Sequence, residues 1–154
     1  MPTERPAQLR LSFPEAGASA LADLLWDAAP QTCAAVVSLL PTRGVAHQAI
    51  YSGSETVMRL EQLTKLDKEH ATWEVRRGDL AFTWIAAGSA YNVNEDFAEL
   101  CWFYDHDARP SMWEGPVAVN VFARIVEPAD AFYQMCRRIR REGIKPITVE
   151  VFQP

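Results

Sequence analysis

Apolar and polar residues alternate over several stretches of the chain, with the period of two that is typical of half-buried β-strands. The clearest alternation lies near the two ends, in residues 9–13 and 147–152. Denser apolar runs over residues 80–85, 97–104 and 116–126 predict strands that are buried more completely. The pattern therefore indicates strands along the whole chain rather than in one part of it.

Weaker strand patterns and turns fill the intervals between these runs. Residues 20–25 predict a short returning strand, and residues 46–60 predict a β-rich stretch in which Gly53 forms a bulge or bend. Residues 61–77 are polar and irregular, with a short helical piece expected over 62–68. Clusters of glycine, proline, serine, asparagine and aspartate predict turns and loops at 14–17, 78–79, 86–94 and 105–115.

The first of two predicted helices covers residues 30–40, where apolar residues recur every three or four positions. Pro30 suits the first helical position, because its missing N–H has no partner there. Pro41 ends the helix, since it disfavours helical geometry in the residue before it. Asp27, just upstream, is expected to favour the positive end of the helix dipole.

The second predicted helix covers residues 129–142, with Gly143 as its C-terminal cap. Its apolar stripe includes Cys136 and that of the first helix includes Cys33, so both thiols are expected to be small core residues. Two helices are too few for a doubly wound parallel sheet. The sequence therefore predicts a mostly β fold, a closed β-barrel capped by two helices, in one domain over residues 1–154.

Composition and charge exclude several classes of function for this protein. The net charge of −5 argues against a general binder of nucleic acid or anionic membranes, since both require a basic face. No apolar run reaches the ~18 residues of a membrane-spanning helix. Residues 1–8 lack the apolar core of a signal peptide, so a cytoplasmic protein is expected. CxxC pairs and glycine-rich nucleotide-binding motifs are absent, and neither a metal nor a cofactor is expected.

Three segments, in the same order along the chain, resemble cyclophilins. They are DAAPQTCA at 27–34, WEG at 113–115 followed by NVFARIVE at 120–127, and KPIT at 145–148. The chain is also similar to a group of uncharacterised bacterial cyclophilin-like proteins, through LP at 40–41, HQAIYSG at 47–53 and ELCWFY at 99–104. The resemblance implies a cyclophilin-like β-barrel, and that group has no assigned reaction.

The same resemblance implies a departure from prolyl isomerases. Cyclophilins use an arginine that follows a histidine on a strand, whereas here His47 is followed by the uncharged Gln48. Glu99 falls where cyclophilins have a glutamine, so the pocket is expected to be more acidic. Loss of a preorganised donor costs about 10²–10³ in rate, and we expect little or no isomerase activity. An arginine from another position could replace it: Arg59, Arg109 or Arg124.

Glu99 is the strongest candidate catalytic residue, because it is a carboxylate within an apolar strand. It either acts as a pocket base with a raised pKa or pairs with an arginine such as Arg124. His47 is a second candidate base, with a structural role as its alternative. Asn120 lies in another apolar strand and needs partners, and we expect it to share a hollow with Glu99. The remaining candidate ligand-binding residues are polar or aromatic: Gln48, Tyr51, Ser52, Ser54, Trp102, Trp113 and Phe122.

These residues favour a barrel that binds or transforms an unknown small molecule, in a pocket with a few polar groups and aromatic walls. A prolyl isomerase or proline-peptide binder is the first alternative. The second is a structural role, in which exposed apolar surface pairs copies of the chain in a homo-oligomer. Residues 105–107 (DHD) lack the spacing of a strong metal site and are expected to form a solvated loop.

Overall fold

The computed structural model describes residues 5–154 and consists mainly of strands. The elements follow one another as β1 (Gln8–Phe13), β2 (Ala18–Leu24), α1 (Pro30–Ser38), β3 (Thr42–Gln48), β4 (Glu55–Leu60), β5 (Ala71–Thr72), β6 (Asp79–Ile85), β7 (Phe97–Phe103), β8 (Ser111–Met112), β9 (Gly115–Pro116), β10 (Val119–Ile125), α2 (Asp130–Glu142) and β11 (Lys145–Phe152). The long strands form one antiparallel sheet in the order β2-β1-β11-β3-β4-β7-β6-β10. Pairing of β10 with β2 closes it, which confirms the predicted barrel.

The barrel strands place alternate side chains on two faces, and both faces of the β4–β7–β6–β10 region are covered. Inward residues of β7, Leu100 and Trp102, join the main core with Phe132 of α2. Outward residues of the same strand, Cys101 and Phe103, join a second apolar cluster with residues of β4, β6 and β10. Burial on both sides explains why these strands are dense apolar runs rather than clean alternations.

Both helices bury one face against the barrel. The α1 helix contacts β10, and α2 contacts β2 and β3. Cys33 and Cys136 are fully buried, as predicted. Within residues 5–154, neither helix is long and apolar enough to cross a membrane.

The carboxylate at the start of α1 comes from a distant part of the chain. Glu69 accepts hydrogen bonds from the backbone N–H groups of Gln31 and Thr32 at 3.1 and 2.7 Å, and from the Thr32 hydroxyl at 2.8 Å. Asp27, which the sequence placed there, is exposed and lies outside the first turn. That expectation was wrong, because the free N–H groups are taken by a side chain that tertiary folding brings in.

Three further local expectations differ from the structure. Residues 46–60 belong to two strands, β3 and β4, rather than to one β-rich stretch, whereas Gly53 lies in a bend, as predicted, with a φ of 72°. Residues 62–68 form no helix, and their polar groups bond to the barrel instead, as in the hydrogen bond from the Lys68 ammonium to the Ala118 carbonyl. The loop 105–115 contains part of a small hairpin, formed by β8 and β9.

Candidate functional site

A small hollow opens on the outer face of the barrel, beside the β8–β9 hairpin. Its charged groups are Glu55 and Glu99, and the Thr83 side chain lies with them. Its volume of about 20 Å³ accommodates one water-sized group. The other lining residues are Ile85, Pro110, Ser111, Met112, Val117 and Val119.

The strand register brings these side chains together. Glu99 on β7 lies directly opposite Thr83 on β6 and, on its other side, opposite Arg59 on β4. Glu55 begins β4, immediately after the turn that contains Gly53. Glu99 shares its outward face with Cys101, because residues two apart on a strand point the same way.

The polar groups of the hollow lack charged partners. Within residues 5–154, no ion pair involves either glutamate, and the Thr83 hydroxyl is buried without a hydrogen-bond partner. Arg59 lies 3.9 Å from Glu95 instead. Arg124, named above as a possible partner of Glu99, pairs with Asp79 at 3.1 Å. The two carboxylates are therefore acceptors without a cation.

Burial and like charge shift both carboxyl groups toward the protonated form. Burial and the neighbouring Glu55 raise the pKa of Glu99 to about 8, against the opposing charge of Arg59. Burial also raises the pKa of Glu55, opposed by hydrogen bonds with Ser52 and Cys101. Burial and both carboxylates raise the pKa of the Cys101 thiol well above its usual range. Near neutral pH the Glu99 carboxyl group is therefore mostly protonated.

A larger cleft adjoins the hollow. Its volume is about 410 Å³, and Ile85, Met112 and Val117 line both spaces, so the two are neighbours that share part of their walls. Trp84 adds an apolar wall and Glu114 a carboxylate. This volume is within the ~300–1,000 Å³ typical of small-molecule sites. An apolar cleft therefore lies beside a small acidic hollow.

Hydrogen bonds between three loops hold this site. The Ser111 backbone N–H donates to the Ser52 hydroxyl at 2.9 Å, which ties the β8–β9 hairpin to the turn before β4. The Tyr91 N–H donates to the Glu114 carboxylate at 2.8 Å, which ties the 86–94 loop to the same hairpin. Ser52, a predicted ligand-binding residue, thus positions the wall of the hollow.

Three exposed aromatic side chains lie together on these loops. The ring centroid of Trp113 is 6.1 Å from that of Tyr51 and 5.5 Å from that of Tyr91. Tyr51 and Trp113, both predicted ligand-binding residues, are therefore brought together. Tyr91 was missed, because it lies in a loop without any periodic pattern. We refer to these three residues as the aromatic rim.

The other predicted residues near β3 lie outside the hollow. His47 is on the outer face of β3, and burial lowers its pKa. The Gln48 amide donates to the Gly53 carbonyl and accepts a hydrogen bond from the Tyr104 hydroxyl at 2.6 Å, so it holds the turn. Ser54 is buried in that turn, near the Tyr104 hydroxyl.

Asn120 and Glu99 do not share a hollow, and that expectation was wrong. Asn120 projects from the opposite side of β10, where its amide donates to the Thr32 hydroxyl at 3.2 Å and to the Asp67 carbonyl at 3.0 Å. Trp102 and Phe122 also point inward, into the main core. Strand parity in the sequence indicates which residues share a face, but not which face is inside the barrel.

Glu55 and Thr83 had only weak signals in the sequence. Glu55 is an acidic residue directly before an apolar strand, and Thr83 is a single hydroxyl within another. Both are ordinary residues at such positions. Only their proximity to Glu99 in the folded sheet identifies them as part of a site.

No group of three or more His, Cys, Asp or Glu side chains in the described part of the chain is arranged to hold a metal ion. Asp105, in the DHD segment, accepts two hydrogen bonds from Arg137, at 2.9 and 2.8 Å. Its carboxylate is therefore engaged in an ion pair at the surface.

Several solved structures have a similar fold. The structure of McbB in complex with tryptophan is 15% identical, with a TM-score of 0.70, and the match covers 96% of this chain and 45% of that one. The hypothetical protein AF2241 from Archaeoglobus fulgidus is 22% identical, with 98% of each chain covered and a TM-score of 0.60. The mimivirus cyclophilin is 11% identical, with 97% of this chain and 90% of that one covered and a TM-score of 0.55.

These likenesses identify the fold as cyclophilin-like. The chain spans less than half the length of the McbB chain. No curated protein matches the sequence. Residues 11–151 match the family described as "Protein of unknown function (DUF3830)", and the chain belongs to that family.

Proposed function

We propose that this protein binds a small molecule that carries an amine, with the amine in the hollow and the rest of the molecule in the adjoining cleft. The observation that carries this proposal is the hollow, which the side chains of Glu55, Glu99 and Thr83 line without a cation or other charged partner. Leaving a buried polar group unpaired costs about 1–3 kcal/mol. Buried polar groups without partners and shifted pKa values are concentrated at functional sites. At such a site a bound ligand supplies the hydrogen-bond donor that the protein lacks.

An ammonium group fits the hollow in charge and in size. It offers three N–H donors, and the hollow offers two carboxylates and a hydroxyl. A volume of about 20 Å³ admits one such group but no ring. A positive charge also relieves the repulsion between Glu55 and Glu99, which raises the pKa of Glu99 in the free protein.

The cleft suits the apolar body of such a molecule. It shares Ile85, Met112 and Val117 with the wall of the hollow, and it is large enough for a small ligand. A bound small molecule is also found in a protein of similar fold, the McbB structure in complex with tryptophan. Tryptophan combines an ammonium group with a ring, which is the combination proposed for this ligand.

The proposal is tested by titrating the protein with phenylethylamine and with phenylpropionate, which has a carboxylate in place of the amine. We expect the amine to raise the melting temperature and to give a saturable calorimetric isotherm, and the acid to do neither. Glu99→Gln is expected to weaken amine binding by about 10–100-fold, the usual contribution of a charge-assisted hydrogen bond.

Glu95→Gln is the matched control, because Glu95 is a highly exposed carboxylate near the same strand and does not line the hollow. It is expected to leave amine binding unchanged. Equal binding of amine and acid contradicts the proposal. So does saturation by Mg²⁺ or Ca²⁺ in the absence of any amine, because the hollow is then a cation site.

Proton transfer is a second candidate function, favoured by the pKa of about 8 at Glu99. A carboxyl group that titrates near neutral pH is suited to act as a general base on a bound amine or a neighbouring C–H group. Exchange of such a C–H into deuterated water, followed by NMR and lost in Glu99→Gln, would support this function. Exchange at the rate of free ligand would exclude it for that compound.

Prolyl isomerisation is not favoured. The described residues that line the hollow include no arginine. The three candidates from the sequence have other neighbours: Arg59 is near Glu95, Arg109 lies over Trp73, and Arg124 pairs with Asp79. A coupled proline-isomerisation assay is expected to give no activity above the uncatalysed rate.

A further inference from the structure

The three aromatic side chains of the rim are largely exposed to solvent. Trp113 is 65% exposed, Tyr91 62% and Tyr51 38%. Large aromatic side chains that cluster on a surface mark interaction sites more often than isolated ones do. None of the three is needed for the barrel, since they lie in loops beyond the ends of the long strands.

The rim residues do not line the cleft themselves, but two of them are next to lining residues in the chain. Trp113 stands between Met112 and Glu114 in the chain, and both of these line the cleft. Tyr91 follows Ala90, another cleft residue, and its N–H is bonded to Glu114. The backbone of cleft residues thus carries Trp113 and Tyr91, and Tyr51 joins them through its contact with Trp113.

The ring geometry suits contact with a flat ligand. Tyr51 meets Trp113 edge to face at an interplanar angle of 72°, and Tyr91 is tilted by 42° to the same indole. With these two contacts the Trp113 side chain is still 65% exposed. Aromatic rings favour other aromatic rings in stacked or edge-to-face contacts beyond the effect of apolar area alone.

We propose that the aromatic rim is a subsite for an aromatic ring of the ligand, so that the protein selects aromatic amines over aliphatic amines of the same size. This inference rests on the proposed function, because the hollow anchors the amine. The acidic hollow then binds the amine end of the ligand, and the rim binds its aromatic end. A purely apolar compound or a purely cationic one satisfies only one of the two sites.

The test compares phenylethylamine with cyclohexylethylamine, which has the same length and the same amine but no aromatic ring. Wild-type protein is expected to bind the aromatic amine about 3–10-fold more tightly, the effect of one aromatic contact. Trp113→Leu keeps an apolar side chain and removes the ring. It is expected to abolish this preference, while its affinity for cyclohexylethylamine changes less than about twofold.

Trp73→Leu is the control, because Trp73 is also an exposed tryptophan but packs against Arg109 rather than in the aromatic rim. It is expected to keep the wild-type preference. If Trp113→Leu keeps the preference while Glu99→Gln still weakens both amines, the subsite is excluded and the proposed function stands. If neither amine binds to wild-type protein, both proposals fail.

A second copy of the chain is the competing occupant of the rim. Light scattering of the wild-type protein and Trp113→Leu distinguishes the two. A change in mass on substitution, without a change in amine preference, would overturn the subsite and assign the rim to an interface. An unchanged mass together with the lost preference supports the subsite.

Discussion

At the scale of single residues, the environment of Glu99 decides its chemistry. The side chain lies opposite Thr83 and Arg59 across the sheet, yet it forms no ion pair within the described residues. Burial and Glu55 then raise its pKa to about 8. The sequence left open whether Glu99 is a pocket carboxylate with a raised pKa or pairs with an arginine, and it did not identify the second carboxylate, Glu55.

This raised pKa makes the stability of the protein depend on pH. An unfolded glutamate ionises near pH 4.3, whereas folded Glu99 keeps its proton to about pH 8. The folded state binds more protons between these values, so stability falls as the pH rises through this window. Glu99→Gln is expected to remove part of this fall and to raise the melting temperature by roughly 3–6 °C at pH 8, with little change near pH 4.

Thermal unfolding across pH 4–8 measures this effect, with Glu95→Gln as the exposed control. Parallel stability curves for wild type and Glu99→Gln would contradict the pKa shift. A rise in the melting temperature that is equal at all pH values would show that the substitution acts through packing rather than ionisation.

Thr83 gives a prediction with a matched control. Thr83→Val removes a buried hydroxyl that has no partner, and we expect it to raise the free energy of unfolding by about 1 kcal/mol and to weaken amine binding. Thr56→Val removes a buried hydroxyl on the inward face of β4, away from the hollow, and should leave amine affinity unchanged. Denaturant unfolding and calorimetry measure the two effects, and equal loss of affinity in both variants would contradict this assignment.

At the scale of elements, the irregular 61–77 segment organises its neighbours. Glu69 binds the start of α1, and the Asn120 amide accepts a hydrogen bond from the Glu69 N–H at 3.2 Å. His70 is 2.8 Å from the Val121 carbonyl. A largely irregular segment thus joins the first helix to β10.

Glu69→Gln is expected to lower the free energy of unfolding by about 1 kcal/mol, because it weakens the cap of α1. Burial opposes the shift, but hydrogen bonds with Thr32 and Gln31 lower the pKa of Glu69 overall. The stabilisation is therefore present above the unfolded pKa and is lost as the pH falls below about 4. Asp27→Asn, at the position the sequence favoured, should have no measurable effect in the same denaturant titrations. An effect at Asp27 and none at Glu69 would reverse the assignment.

At the scale of the whole molecule, the sheet separates the core that stabilises the fold from the surface that carries the hollow. The inward faces of its strands pack a core with both helices, and the outward face of β4, β6 and β7 carries the hollow. Trp102 and Phe122, predicted to bind ligand, belong to the core side. Their distance from the hollow follows from strand alternation, because the intervening sheet isolates one face from the other.

Trp102→Phe tests this separation. The indole N–H donates to the Cys136 sulfur at 3.3 Å, and the smaller ring also leaves a void. We expect a loss of about 1–3 kcal/mol in the free energy of unfolding and less than a twofold change in amine affinity. Trp113→Leu should show the reverse, lost selectivity without lost stability. A matching loss of affinity in Trp102→Phe, measured well below its melting temperature, would contradict the separation.

The sequence by itself determined the strands, the two helices and the closed barrel, because alternation, helical spacing and turn residues are local properties of the chain. It also singled out Glu99 as a carboxylate in an apolar strand. Only the tertiary structure decided that Asn120 faces away from Glu99, and that Glu55 and Thr83 face the same hollow. The physical reason is register: parity assigns residues to a face, but the pairing of distant strands and the closure of the sheet decide which faces meet.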